Sequence, residues 1–224
     1  MIKESLTYRE IPGLNEYSFR HGTTLPNALA NLETDPRDKR ARLLEAALEL
    51  FETRGFDGVA VPEIAKAAGV ATGTLYLYFK DKAALVNALY RQWKNAYNAA
   101  VLAPLPDGVA PRQAFSHYWQ RMMAFARAHP SAIRFMDLHH HGAYLDAESR
   151  ALSRDYLDVA EAFARHARAQ GAIRDLEPVL IVALMWGAAA GLVKFSASGA
   201  LALDAVSATA MEDALWRAIA NEGA

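Results

Sequence analysis

A short segment rich in hydroxyl side chains, Thr72–Tyr78, is the part of the sequence best suited to contact another molecule through hydrogen bonds. Its seven residues, TGTLYLY, include two threonines, two tyrosines and one glycine. Threonine hydroxyls can reach phosphate oxygens or base edges, and the threonine methyl group can contact the methyl group of thymine. Because glycine has no side chain, the backbone at Gly73 can come close to a duplex. The outward-facing candidates are Thr72, Gly73, Thr74, Tyr76 and Tyr78.

The residues around this segment predict two short helices joined by a tight turn. Pro62 can begin the first helix, because its missing N–H costs nothing at the first helical position. Gly69 followed by Val70 can end that helix, since glycine adopts the left-handed conformation readily. In the second helix Leu75 and Phe79 can point into a core. The pattern is typical of a helix-turn-helix, whose second helix enters the major groove of DNA. The apolar stripe of the first helix consists of Val61, Ile64, Ala65 and Ala68.

A further helix at residues 38–54, DKRARLLEAALELFETR, would cover this pair with one apolar face. The whole run from Arg40 onward resembles the DNA-binding domain of TetR-family (tetracycline-repressor-type) transcriptional regulators. The resemblance covers about residues 39–90. It is carried by IAKAAGV, GTLYLYF and KDKAAL, which occur in the family's order and spacing.

The resemblance implies roles for several of these residues in binding DNA. Tyr76 and Tyr78 would face phosphates, and Lys82 would add its ammonium to the positive end of the next helix. Arg40 and its basic neighbours could meet the DNA backbone or the minor groove. The alternatives are that the tyrosines form the rim of the core and that the basic residues are solvated.

The sequence departs from the family pattern where each of the two helices begins. Family members usually have Thr or Ser at the start of the first helix of the pair, but residues 59–61 are Val, Ala and Val. The recognition helix begins with Ala71 where the family commonly has Ser. Thr72 is therefore the expected cap or DNA contact of that helix.

Composition indicates a globular protein suited to a reducing compartment. The 224 residues are 53% hydrophobic and 22% charged, with a formal net charge of −1. There are no cysteines, which excludes disulfides, thiolate nucleophiles and cysteine-ligated metals. Residues 37–94 have a net charge of +3 and the remainder −4, a distribution typical of duplex binding but also of an ordinary solvated surface. We expect a cytoplasmic protein with no secretory signal, no cofactor and no enzymatic activity.

Three segments are predicted along the chain. Residues 1–36 form an irregular N-terminal arm, 37–84 the helix-turn-helix domain, and 85–224 a helical domain that binds an effector and dimerises. No β pattern occurs, so the predicted fold class is all-α, an N-terminal three-helix domain plus a C-terminal helical bundle. The helices expected after the recognition helix are 81–102, 112–128, 131–139, 146–170, 178–197 and 203–220.

The uncharged run VLIVALMWGAAAGLV, at residues 179–193, is 15 residues long. A membrane span takes about 18 or more such residues, so we expect a buried helix and no membrane association. Gly187 and Gly191 give this helix a small-residue surface that another helix can approach closely, within the fold or across a dimer. The family resemblance implies that the last two helices form a four-helix interface with a second copy.

Three consecutive histidines, His139, His140 and His141, follow Asp137 closely and raise the hypothesis of a metal site. Adjacent helical residues point about 100° apart, so these histidines cannot converge on one ion. Only Asp137 and His141 share a face, and no HExxH-type spacing is present. A polar helix end or the rim of a pocket, without metal, is therefore expected.

Aromatic and methionine side chains are concentrated in the second half of the chain. At helical spacing such residues most often form an ordinary core. TetR-family relatives build a ligand cavity among the corresponding helices, so the resemblance implies a site for a small apolar or aromatic effector. The candidate effector-binding residues are Trp119, Met123, Phe163 and Trp186.

These observations predict a homodimeric transcriptional regulator, a repressor released from a near-palindromic double-stranded DNA operator by a small molecule. A dimer is expected because two recognition helices about one turn apart can read a palindrome, whereas one helix reads few base pairs. Effector binding would tilt the helix at 81–102 and change the spacing of the two DNA-binding domains in the dimer. Two alternatives stay open, a helical metal-dependent protein using His139–His141 and a DNA binder without an effector.

Overall fold

The computed structural model describes residues 38–106, 108–139, 142–152 and 154–221. Within these ranges the chain forms ten α-helices and no β-strand, with one isolated bridge between Ile173 and Ala220. The all-α prediction is confirmed. The predictions for the N-terminal arm, His140 and His141 fall outside the described residues. The helices are α1 Lys39–Arg54, α2 Val61–Ala67, α3 Thr72–Tyr78, α4 Lys82–Val101, α5 Pro111–Ala128, α6 Pro130–His139, α7 Ala147–Leu152, α8 Asp155–Ala169, α9 Pro178–Ala197 and α10 Ala205–Ile219.

Helices α1 to α3 form the predicted helix-turn-helix unit. The carboxylate of Asp38 caps α1 by accepting hydrogen bonds from the backbone N–H groups of Arg40 at 2.8 Å and Ala41 at 3.2 Å. Helix α2 has Pro62 in its first turn and no side-chain cap, as expected. Gly69 has a φ of +65°, which only glycine adopts without strain, and it turns the chain towards α3. The buried side chains at the centre of the unit include Leu43, Leu44, Phe51, Ile64 and Leu75.

Helix α4 connects this unit to the rest of the molecule. The carboxylate of Asp81 caps it by accepting a hydrogen bond from the N–H of Ala84 at 2.7 Å. Its buried face runs from Leu85 to Val101 and packs against α1, α5, α6 and α7. The predicted division after residue 84 lies in the first turn of α4, and one hydrophobic core is continuous across it.

The helix predicted at 146–170 is two helices, α7 and α8, so this expectation was wrong. The side chain of Asn98 lies at the break, and its amide donates to the carbonyl of Leu152 at 3.1 Å and to Asp155 Oδ2 at 2.8 Å. These two bonds satisfy the carbonyl end of α7 and orient the first turn of α8. A periodicity search along one segment could not detect this, because Asn98 is distant in sequence.

Helix α9 packs against α5, α6, α8 and α10 through one face only. Ile181 and Met185 are buried on that face, whereas Leu180 and Phe195 are 48% and 58% exposed. Among the described residues, α9 is the one helix long and apolar enough to cross a membrane, judged by length and composition alone. In the single chain one face of α9 is therefore buried, as expected, and the outer face is exposed.

Candidate DNA-binding surface and effector cavity

The outer face of α3 carries the predicted DNA contacts on an open surface. Leu75 is fully buried and anchors the helix, while Tyr76 and Tyr78 are 52% and 45% exposed. Gly73 is exposed, and a Cβ added to it would meet nothing within 4 Å, so another molecule can approach its backbone. Thr72 and Thr74 are half-buried beside it. The arrangement suits insertion of this helix into a major groove.

The expected capping role of Thr72 is wrong, because Ala71 occupies the N-cap position and no side chain caps α3. The hydroxyl of Thr72 lies one residue too far into the helix to act as its N-cap. A contact with DNA is the remaining predicted role of this residue.

Leu77 is a surface residue of α3 that sequence reasoning missed. Its side chain is 83% exposed, and it lies four residues after Gly73, on the same side of the helix. An exposed leucine there can contact a thymine methyl group. The signal available in the sequence was its position between two outward-facing tyrosines.

Arg40 is exposed near the start of α1. Its guanidinium carbon lies 5.5 Å from the centre of the ring of Phe79, the residue that follows α3. The charge of Arg40 is thus held beside the C-terminal end of the recognition helix. A contact with the DNA backbone stays a prediction.

Lys82 has a structural role in addition to the predicted DNA contact. Its ammonium donates hydrogen bonds to the carbonyls of Phe56 at 2.8 Å and Val59 at 3.0 Å, and it lies 4.1 Å from the centre of the Phe56 ring. These contacts tie the loop between α1 and α2 to the start of α4. An ammonium has three donors, so one remains for a phosphate oxygen.

A cavity of about 410 Å³ lies between α4, α5, α6, α8 and α9. This volume falls within the range of roughly 300–1,000 Å³ typical of small-molecule sites. Most of the lining is aliphatic or aromatic, and both Phe163 and Trp186 contribute to it, as predicted from the sequence. The cavity therefore suits a largely apolar molecule.

Two polar contacts stand out on the wall of this cavity. The indole N–H of Trp186 donates to Asp137 Oδ1 at 2.7 Å, which joins α9 to α6. Lys94 projects from α4 among the aromatic rings of Tyr97, Tyr156 and Trp186. Burial lowers the pKa of Lys94 to about 8 despite the nearby Asp155, and burial also raises the pKa of Tyr97.

Both halves of the chain match known families. Residues 43–89 match the family model for bacterial regulatory proteins of the tetR family, and residues 93–221 match the tetracyclin repressor-like C-terminal domain. The second match alone covers more than half of the chain. The chain belongs to the TetR family. It is a DNA-binding, helix-turn-helix transcriptional regulator.

Individual TetR-family relatives agree with this assignment. The HTH-type transcriptional regulator RutR of Escherichia coli O157:H7 is 26% identical over 180 residues, covering 80% of this chain and 82% of that protein. UidR of Escherichia coli strain K12 is 37% identical over 62 residues, which cover 28% of this chain and 32% of UidR. The crystal structure of a TetR family transcription regulator from Marinobacter aquaeolei VT8 has the same fold, with a TM-score of 0.69, 24% identity and coverage of 82% and 96%.

Two of the effector candidates, Trp119 and Met123, do not line the cavity of this TetR-family protein. Trp119 is completely buried, and its indole N–H donates to the carbonyl of Ala208 on α10 at 2.8 Å. Met123 is also buried in the core. Both residues lie on faces of α5 that pack against other helices. Helical spacing could not distinguish those faces from the face lining the cavity.

Lys94 is a residue of the cavity wall that the sequence analysis did not predict. Lys94 lies three residues before Tyr97 and seven before Val101, so the three share one face of α4. A lysine within an otherwise apolar stripe was the available signal. It was overlooked because lysines on helices are usually solvated.

The histidine cluster has a packing role where the structure describes it. His139 is completely buried, with Nδ1 hydrogen-bonded to the hydroxyl of Tyr144 and Nε2 3.4 Å from the carbonyl of Phe51. Burial lowers the pKa of His139, although the Phe51 carbonyl acts in the opposite direction. Asp137 is bonded to Trp186. Within the described ranges, no group of three His, Asp or Glu side chains could hold a metal ion.

Proposed function

We propose that this TetR-family repressor binds a near-palindromic operator as a homodimer and is released by a small, largely apolar molecule bound in the cavity. The observation that carries the proposal is that α4 joins the DNA-binding unit to the cavity. Its first residue, Lys82, is bonded to the loop before α2, and Tyr97 and Val101 line the cavity about four to five turns later. A rigid helix with both ends engaged can transmit a tilt from one site to the other.

The DNA contacts proposed for each protomer lie on and around α3. Thr72, Gly73 and Thr74 would meet base edges and the adjacent backbone, since they lie at the start of the recognition helix. Tyr76 and Tyr78 would bind phosphates through their exposed hydroxyls. Arg40 and Lys82 would add charge-assisted phosphate contacts, although each also makes contacts within the protein.

A second route from the cavity to the DNA-binding unit runs through α6. Trp186 on the cavity wall is bonded to Asp137 of α6. At the same helix, Arg134 donates to Glu52 of α1 at 2.8 Å, in an ion pair that is largely shielded from solvent. His139 packs its ring edge against Phe51 of α1. A ligand that moves Trp186 would therefore disturb α6, which is bonded to and packed against α1.

The outer face of α9 supports the proposed dimer. Leu180, Leu184 and Phe195, none of which lines the cavity, are each 40% exposed or more in the single chain. A Cβ added to Gly187 or Gly191 would meet nothing within 4 Å, so a helix of a second copy could approach the backbone there. Val206 of α10 is 77% exposed as well. A second copy of the chain would cover this apolar face. We also propose that the protein is located in the cytoplasm.

The dimer is tested by filling the small-residue surface. We expect Gly187→Leu to weaken dimerisation by about 1–3 kcal/mol through overpacking, while leaving the fold of the protomer intact, since a Cβ added at this exposed position would meet no side chain or other helix within 4 Å. Sedimentation equilibrium at micromolar concentration gives the change. The matched control is Ala162→Leu on the exposed face of α8. A wild-type protein that sediments as a monomer would rule out this interface.

Release from DNA is tested by measuring coupling in both directions. Operator fragments are first selected from source genomic DNA, and a panel of small apolar molecules is screened by tryptophan quenching. A compound that weakens operator binding by a given factor must have its own affinity reduced by the same factor when operator is present. Fluorescence anisotropy and calorimetry measure the two affinities. Binding without any change in operator affinity would contradict the effector role and favour a DNA binder without an effector.

A further inference from the structure

Lys94 is a charged side chain enclosed within the cavity wall. Its side chain lies on the buried face of α4, and the residue is only 5% exposed. The ammonium nitrogen lies 5.2 Å from the centre of the Tyr97 ring, 4.9 Å from that of Tyr156 and 5.8 Å from that of Trp186. All three rings line the cavity. The charge is therefore directed into the space that a ligand would occupy.

The ammonium of Lys94 makes no hydrogen bond or ion pair with any described residue. The neighbouring Asp155 attracts it electrostatically, but Asp155 Oδ2 is itself 2.8 Å from the side-chain amide of Asn98. Aromatic faces offset part of the cost of dehydrating a cation, but they accept no strong hydrogen bonds from its N–H groups. The pKa of about 8 leaves Lys94 mostly protonated at neutral pH. A positive charge with free donors thus faces an apolar space.

The rest of the lining determines which anion could pair with this charge. Lys94 is the only charged residue among the described residues that line the cavity. Elsewhere in the lining, Val159, Ile181 and Met185 contribute apolar side chains. One cation among apolar walls matches a molecule with one negative group and an apolar body.

We propose that the cavity binds a small monocarboxylate with an aliphatic or aromatic body, whose carboxylate pairs with the ammonium of Lys94. The inference rests on the proposed effector function and specifies the chemical class of the effector. The carboxylate accepts the hydrogen bonds that the aromatic rings cannot accept, and the body fills the space between α5, α8 and α9. A neutral molecule of the same shape, such as the amide, can accept a hydrogen bond from the ammonium but supplies no negative charge to pair with it.

The test compares acids with their neutral isosteres on the full chain. The probes are 4-phenylbutyrate and octanoate, each paired with its primary amide, and isothermal titration calorimetry measures affinity. We expect at least one carboxylate to bind about tenfold or more tightly than its amide. Lys94→Met should reduce that ratio to about one. Asp155→Asn is the matched control, because it removes a nearby charge, keeps an oxygen acceptor for Asn98 and should preserve the preference for the acid.

A separate measurement distinguishes ligand binding from a structural role of Lys94. Thermal unfolding of unliganded Lys94→Met should occur at the same temperature as the wild type or higher, since an unpaired buried charge is removed. Lys94→Gln is measured in parallel, so that a packing defect of one variant does not decide the outcome.

Carboxylates that bind no better than their amides, including the case in which none binds, would overturn the inference. A preference for the acid that persists in both Lys94 variants would overturn it too. An amide that binds as tightly as its acid and releases the operator would leave the proposed function standing and refute only the role of Lys94.

Discussion

The DNA-binding surface and the cavity are built from the chain in opposite ways. The surface of α3 comes from seven consecutive residues anchored by one buried leucine. The cavity is assembled from five helices, with lining residues spread from Tyr90 to Trp186. A local surface can be predicted from a motif, because neighbouring side chains on one helix keep their relative positions. A non-local cavity depends on which faces of distant helices meet, and single-helix patterns do not contain that information.

The largest expected effect on the free energy of unfolding tests whether Trp119 of α5 belongs to the core while Trp186 of α9 borders the cavity. Trp119→Ala should cost about 3–5 kcal/mol of unfolding free energy, because it removes a fully buried ring that is bonded to the carbonyl of Ala208. Trp186→Phe should cost about 1 kcal/mol, mainly the hydrogen bond to Asp137. Urea unfolding at one fixed protomer concentration measures both. A Trp119→Ala protein as stable as the wild type would mean that this residue borders open space after all.

A smaller effect tests whether the DNA-binding surface is separable from the fold. Lys82→Ala should reduce the salt slope of operator binding by about one. It should also lower stability by about 1–3 kcal/mol, because the carbonyls of Phe56 and Val59 lose their donor. Lys80→Ala, at an exposed position, should change stability by less than about 0.5 kcal/mol. An unchanged salt slope in Lys82→Ala would restrict Lys82 to its structural role.

The smallest expected effect concerns sequence readout by α3. Thr72→Ala should alter the preference between operator variants by about 1 kcal/mol, with stability unchanged within about 0.5 kcal/mol. Thr72→Ser keeps the hydroxyl and removes the methyl group. Comparing the two variants therefore separates the contribution of the hydroxyl hydrogen bond to operator preference from that of the methyl contact. Anisotropy titrations on a set of single-base operator variants give the values. Equal losses on every variant would indicate a phosphate contact instead of base readout.

Several tertiary contacts changed what the sequence predicted. Asn98 divides the helix expected at 146–170 by bonding to both sides of the break. Lys82 was expected either to contact DNA or to be solvated, and the structure shows that it also holds the loop before α2. Lys94 was not considered, although its burial among three rings makes it the most unusual polar group of the cavity. In each case the deciding partner is far away in the sequence.

The all-α class, the helix-turn-helix and the resemblance to a family of regulators could be predicted from the sequence alone. Glycine conformation, proline at a helix start and apolar periodicity act over a few residues, so these features can be recognised locally. The packing of distant helices determines that Phe163 and Trp186 line the cavity, whereas Trp119 and Met123 do not. All four have similar apolar character at helical spacing. Their roles differ because close packing assigns each helix face either to another helix or to empty space.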